Sequence, residues 1–377
     1  MKKWMIIISI SLLLSVMVSG NIVQASEAIP QNEWEEYDFE EVNQALDELF
    51  PDEKLDFKET VVKLISGEMK LTSELLNRLV KERISYAFSV CKDNLVHILL
   101  IAVFAAIFTN FSNVFQNKQI SDVSFYILYL LLIALCLNSV QAVTQWVGAG
   151  VQGMVRFMSA FCPLYFLAVG VAKGSFTAVA FYNFVLILIT IAEYLILKLL
   201  IPGIRIFVMV RILNYLSEEE YLSKFADLIE TVFSWTLKTV TACVVGINLI
   251  QGLIHPAIDT IKQSAVTRSA EAIPGVGDAI GGTAEVVLGT AVLIKNGIGM
   301  TGAIFCFTLC IVPLIQTGVI VLLYKLSAAV IQPVSDKRII GCMESVSDGC
   351  RLMMKLIFTT SLLFLITIVI VTTVTGL

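Results

Sequence analysis

Few of the residues that most often do chemistry stand at working spacings in this chain. Cys306 and Cys310 lie one helical turn apart in an apolar run, with no CxxC pair beside them. Buried thiols of a packed helix explain such a pair better than a metal site does. His97 and His255 are far apart and form no HExxH-type ligand set. Gly275, Gly277 and Gly281 have the wrong spacing for a dinucleotide loop, follow no strand and lack the downstream acid. No GxxxxGK[ST] phosphate loop and no GxSxG nucleophile motif occurs. The expectation is a non-enzymatic protein with no catalytic, cofactor-binding or metal residues. The exceptions in type are a carboxylate and an amine within apolar runs, Glu193 and Lys238. At 1.5 Å per residue, Glu193 lies roughly 12 Å from the end of its run at Ile201, and Lys238 roughly 13 Å into the next. An unpaired charge near a bilayer centre costs a few kcal/mol, which favours a pair at that depth. The other reading is that Lys238, close to the interfacial residue Trp235, snorkels to the membrane surface.

The elements that would carry these residues are membrane helices. The 377 residues are 57% hydrophobic and only 15% charged, and mean hydropathy is +0.84, which no ordinary soluble globule shows. The formal net charge of -5 reflects acid concentrated early in the chain. Lys2 and Lys3, the apolar run Trp4 to Val18 and the small residues Val23 and Ala25 describe a signal peptide over 1–25, with a retained signal anchor as the alternative. Residues 26–92 read as a small, acidic, helical extracytoplasmic domain. Phe39, Val42, Leu46 and Leu49 recur at helical spacing up to Pro51, and Phe57, Val61, Leu64 and Ile65 make a second stripe.

Residues 93–377 form the multi-spanning domain. Spans are expected at Leu95 to Phe115, Phe125 to Val143, Phe176 to Ile201, Ile229 to Ile254, within Gly299 to Lys325, and at Leu352 to Thr373. Two Gly/Pro-rich segments, Trp146 to Gly174 and the small-residue run from Ala270 to Gly289, read as re-entrant or interfacial. The fold class is therefore an all-α polytopic membrane protein of about six spans. Gly275, Gly277 and Gly281 suit close helix packing. Pro313 is expected to kink or break its helix, and Pro333 to end it. Pro202 should close the third span, after which Ile204, Phe207, Val208, Arg211 and Ile212 suggest a helix along the membrane surface.

Stretches 146–254 and 277–377 share an order of elements, and setting Pro202 on Pro333 matches Phe176-Thr177 with Phe307-Thr308, so a repeat is expected. With both ends outside, the inner loops hold Lys118, Arg205, Arg211, Lys224, Lys337, Arg338 and Arg351. The outer ones hold Arg156, Lys173, Lys262, Arg268 and Lys295. The inner side is mildly the richer. The charged loop from Ser335 to Arg351, with Ser335, Asp336, Lys337 and Arg338 first, is a candidate partner contact or a simple topology signal.

The run LLYKLSAAVIQPVSDKRIIGCMESVSDG, preceded by IPGVGDAIGG and VLIKNGIG, resembles the stage III sporulation protein AE family of endospore-forming bacteria. The resemblance covers most of the mature chain and is strongest from Ile273 to Asp348. It implies a mother-cell membrane protein facing the forespore, a component of a channel or secretion-like complex with other membrane proteins as partners and no nucleic acid. The alternative from the residues alone is a secondary transporter for a small molecule or ion, suggested by the repeat and the broken helices. Neither cargo nor oligomer number is legible.

Overall fold

The structure is a computed structural model. It describes residues 34, 37–51, 55–66, scattered positions between 81 and 107, and then 118–173, 177–215, 221–270, 277–333 and 335–374. The expected signal peptide, Gly275 and most of residues 67–92 lie outside these. The described elements are helical. Two short helices, α1 (Glu40–Leu49) and α2 (Phe57–Ile65), precede the long α3 (Lys118–Lys173). Then come α4 (Thr177–Tyr194), a π-helical segment (Leu195–Leu200) and α5 (Ile201–Asn214). The last three are α6 (Ser223–Ala270), α7 (Gly277–Ile331) and α8 (Lys337–Val374).

Five of the described stretches are long and apolar enough to cross a membrane: Tyr126–Ala172, Val185–Asn214, Ser223–Gly246, Gly289–Ile331 and Lys337–Ile368. The multi-pass, all-helical class stands. The segmentation expected from the sequence does not. Trp146 to Gly174 is no re-entrant piece; as far as Lys173 it is the second half of α3, which at 56 residues is about 84 Å long. From Gly277 the small-residue run likewise opens α7, which continues without interruption through Pro313. Helix–helix contact replaces what these residues lack. Pro313 lies in the notch of Gly150 on α3, where a Cβ would come within 2.7 Å of its ring, and Thr317 Oγ1 donates to Pro313 O at 2.7 Å. A proline enclosed by neighbours is tolerated inside a membrane helix.

Pro202 does not close its helix either. It has no N–H to donate, but Ile201 N reaches back five residues to Ile196 O, and the chain passes from π into α geometry there. Pro333, by contrast, sits in the turn after α7, as expected. The two prolines of the expected repeat thus occupy different settings.

Three long helices form the core. α3 and α8 run parallel: Cys136 Sγ meets Cys342 Sγ at 3.6 Å, Thr144 faces Met353 Sδ, and Ser361 faces Met154 Sδ, in rising order on both. α7 is antiparallel to both, since Gly150 abuts Pro313 while Gly302 abuts Phe161, and Gly318 touches Met354 while Ser347 Oγ donates to Val321 O. α8 is the central element: from Lys337 to Ile368 only Lys337 and Glu344 are exposed. The span expected at Leu352 therefore begins fifteen residues earlier, and Lys337 to Arg351 is helix, not loop. α5 runs antiparallel along α8 and buries Ile204, Phe207, Val208 and Ile212, so this stripe faces protein and not the membrane surface.

The first two helices dock on the long ones. Asn43 Oδ1 accepts from Phe57 N at 2.8 Å, and Asp56 caps α2 through Glu59 N at 2.9 Å, fixing the corner between them. Phe57 is fully buried, 5.9 Å between ring centres from Phe305 and 6.1 Å from Phe161. Leu49 fills the space at Gly153, and Val61 and Ile65 fill the space at Gly297. Glu48 forms an ion pair with Arg156 at the edge of the seat.

Candidate functional site

A backbone detail creates the most concentrated chemistry in the described bundle. Gly349 of α8 faces Val208 of α5 so closely that a Cβ there would stand 2.0 Å from Val208 Cγ2. Only glycine allows this approach without displacement. It brings Asp348 beside Arg211, which lies one turn beyond Val208. Arg211 Nη2 is 3.2 Å from Asp348 Oδ2, and Arg211 Nη1 is 3.6 Å from Glu230 Oε2 on α6. Asp348 Oδ1 also takes Arg351 Nη2 at 2.9 Å, three residues along the same helix. The Arg211 guanidinium lies 5.6 Å from the ring centre of Phe207, a cation–π distance. Three helices thus contribute two acids and two bases, and the quartet is formally neutral.

These side chains are partly covered, with Asp348 the most enclosed at 16% exposed. Asp348 is eleven residues into α8, about 16 Å from its first residue, roughly half the thickness of a hydrocarbon core. A charge there needs a partner, because an unpaired one costs a few kcal/mol. Each of the four has one.

The sequence-level candidates fall elsewhere. Glu193 is half-buried on α4 and Lys238 is exposed on α6, and no ion pair joins them. Asp336 is the N-cap of α8: its Oδ1 accepts Arg338 N at 2.8 Å and lies 3.4 Å from Arg338 Nε. Ser335 N donates to Ile331 O at 3.0 Å, and Lys337 is exposed. Two members of this group thus have a local structural task. Gly277 opens α7, Gly281 lies in its second turn, and Pro313 and Pro333 stand as described above. Close packing over glycine is seen at Gly150, Gly203, Gly302, Gly341 and Gly349, and the surroundings of Gly277 and Gly281 lie outside what is described.

The cations assigned to loops from the charge count all lie in helices; among them Arg211 and Arg351 join the quartet, and Lys295 is fully buried on α7. The quartet was missed because its members lie on three helices far apart in sequence. The available signals were local: an arginine on the buried stripe of α5, and Asp348-x-x-Arg351 ahead of an apolar run.

The model of the family "Stage III sporulation protein AE" matches residues 55–375, from the start of α2 to the end of α8. The chain belongs to the stage III sporulation protein AE family. A curated protein with that name from Bacillus subtilis (strain 168) is similar, 23% identical over 320 residues, covering 84% of this chain and 79% of that one. No solved structure matches. The matched range holds the whole quartet and the seat of Phe57, but not α1, whose Glu48 meets Arg156. Family membership supports a role in sporulation for this membrane protein.

Proposed function

We propose that the chain is a non-enzymatic membrane component of a channel or secretion-like complex between mother cell and forespore, in the mother-cell membrane. Residues 26–92 are its extracytoplasmic part, both ends lie outside, and a sixth span comes from Leu95 to Phe115. The supporting observation is the quartet. Its charges are spent on one another across three helices, which suits a packing contact within an assembly better than a site that must hand its charges to a ligand. The deciding measurement is the mass of the native complex purified from sporulating cells. Stoichiometric membrane-protein partners are expected; a chain that isolates alone sinks the reading.

The transporter reading keeps one observation in its favour: charged side chains half a hydrocarbon thickness into a span commonly mark ion or substrate paths. It requires the purified chain, alone in liposomes, to catalyse uptake that Asp348→Asn abolishes.

A further inference from the structure

α3 carries two seams at heptad spacing. The inner one, from Leu132 and Cys136 through Val143 and Val147 to Met154, is buried in the three-helix core. The outer one opens with Ile127, Leu131 and Ala134. It continues through four amides, Asn138, Gln141, Gln145 and Gln152, with Gly148 between the last two. Its steps alternate four and three without a break, the spacing at which two helices wind round each other left-handedly. Every position but the half-buried Gly148 is exposed, Ile127 by 62% and Leu131 by 51%. A Cβ on Gly148 would meet nothing within 4 Å. The inner seam is filled and the outer one is open.

The amides stand in the wrong place for lipid. α3 and α8 run parallel, and the Cys136–Cys342 and Met154–Ser361 contacts bracket all four. They are therefore level with the membrane-length stretch Lys337–Ile368. Asn138 to Gln152 covers about 21 Å, some two thirds of a hydrocarbon core. Among the described residues, none hydrogen-bonds these four side chains. Hydrocarbon offers an amide neither a donor nor an acceptor.

The chemistry of the seam selects what fills it. An amide both donates and accepts, so it can pair with its own copy across a two-fold axis. A charge could not, and no charged residue stands on the seam from Ile127 to Gln152. Copies inserted in one orientation meet with α3 parallel to α3, which sets each amide level with its counterpart. Ala134 and Gly148 let the two backbones approach, and amide bonds between helices supply an attraction that leucine in lipid does not. Beyond Gln152 the face is taken by α1, where Glu48 reaches Arg156.

From these we infer that a second copy of the chain docks on α3, forming a parallel, left-handed α3–α3 pair held by amide–amide hydrogen bonds. The inference does not depend on the channel reading; a transporter would pair in the same way.

Two measurements on the full-length chain test it. Single cysteines are placed in a Cys91→Ser, Cys243→Ser variant, since Cys243 is an exposed thiol. Membranes of sporulating cells are then oxidised with copper phenanthroline. Ala134→Cys, Asn138→Cys, Gln141→Cys and Gln145→Cys should each give a disulfide-linked dimer of the chain. The yield should be at least ten-fold that of Tyr126→Cys and Ile133→Cys, which lie round the helix from the seam. No dimer, or equal dimer from all six, overturns the pairing. A cross-link to a different polypeptide assigns the face to another protein and overturns it too. So does labelling of the seam cysteines by an impermeant maleimide without any cross-link, which assigns the face to water. The second measurement is sedimentation equilibrium of the purified chain in detergent. Asn138→Leu, Gln141→Leu and Gln145→Leu together should weaken the dimer at least ten-fold, because leucine keeps the packing and loses the hydrogen bonds. All three side chains are exposed, so the fold of the bundle does not depend on them. A leucine variant that dimerises equally or more tightly overturns the inference as well.

Discussion

Removing Asp348 alone strands Arg351, whereas Arg211 keeps Glu230. Asp348→Asn should therefore cost roughly 2–3 kcal/mol in reversible unfolding from mixed micelles, within the range for a stranded, partly buried charge. Adding Arg351→Gln removes the stranded charge and should recover at least half of that loss. This is a coupling of about 1–2 kcal/mol, in the ordinary range for contacting residues. If the double variant is as unstable as the two single losses added together, the charges act independently and Asp348 and Arg351 are not a coupled pair. Gly302 offers a steric counterpart. A Cβ there would stand 2.2 Å from the Phe161 ring, so Gly302→Ala should cost about 1–3 kcal/mol by overpacking. Phe161→Leu, itself a loss of core, should make the alanine tolerable, and a thermal melt in detergent compares the pair with each single change.

At the scale of elements, the seat of α1 and α2 depends on one side chain. Phe57 is fully buried and touches aromatic rings of both α3 and α7. Truncation to alanine should cost about 3–5 kcal/mol at a well-packed site. The expected consequence is local: α1 and α2 detach and residues 37–66 become protease-sensitive, while the bundle from α3 onward stays intact. Limited proteolysis with mass mapping reads this directly, and unchanged protection of residues 37–66 would refute the seat. The apolar stripes of both helices were legible in the sequence, since Phe39, Val42, Leu46, Phe57, Val61 and Leu64 are all buried as their spacing implies. Their docking partner was not, because nothing local tells a helix whether its stripe meets its own domain or a neighbouring span. The long helices were misread for a related reason. Gly148, Gly150, Gly153 and Pro163 lower the intrinsic preference for helix, and only contacts such as Pro313 on Gly150 and Leu49 on Gly153 restore it. The membrane class itself needed only long apolar runs, which survive any error in their ends.

For the whole molecule, the parallel register of α3 and α8 sets a span length that can be tested from both sides. Ser361 stands level with Met154, two residues before Arg156, and α8 begins at Lys337. From Lys337 to Ser361 is about 36 Å along the helix, between the hydrocarbon thickness of about 30 Å and the 40–45 Å that includes headgroups. The Arg156–Glu48 ion pair is 59% exposed on both sides, a state expected in water or headgroups and not in lipid tails. Lys337 is exposed beside the capped turn at the other end. One bilayer therefore fits between the two levels, with the quartet inside it. Cysteine placed at Arg156 should react with an impermeant maleimide added outside protoplasts, and cysteine at Lys337 only after permeabilisation. Glu48 should follow Arg156, because the ion pair holds the two at one level. Labelling of Arg156→Cys and Lys337→Cys from the same face would mean that α3 and α8 do not cross the membrane in this register. The quartet would then lie in water, where exchanging its ion pairs for neutral residues should change stability by less than about 1 kcal/mol.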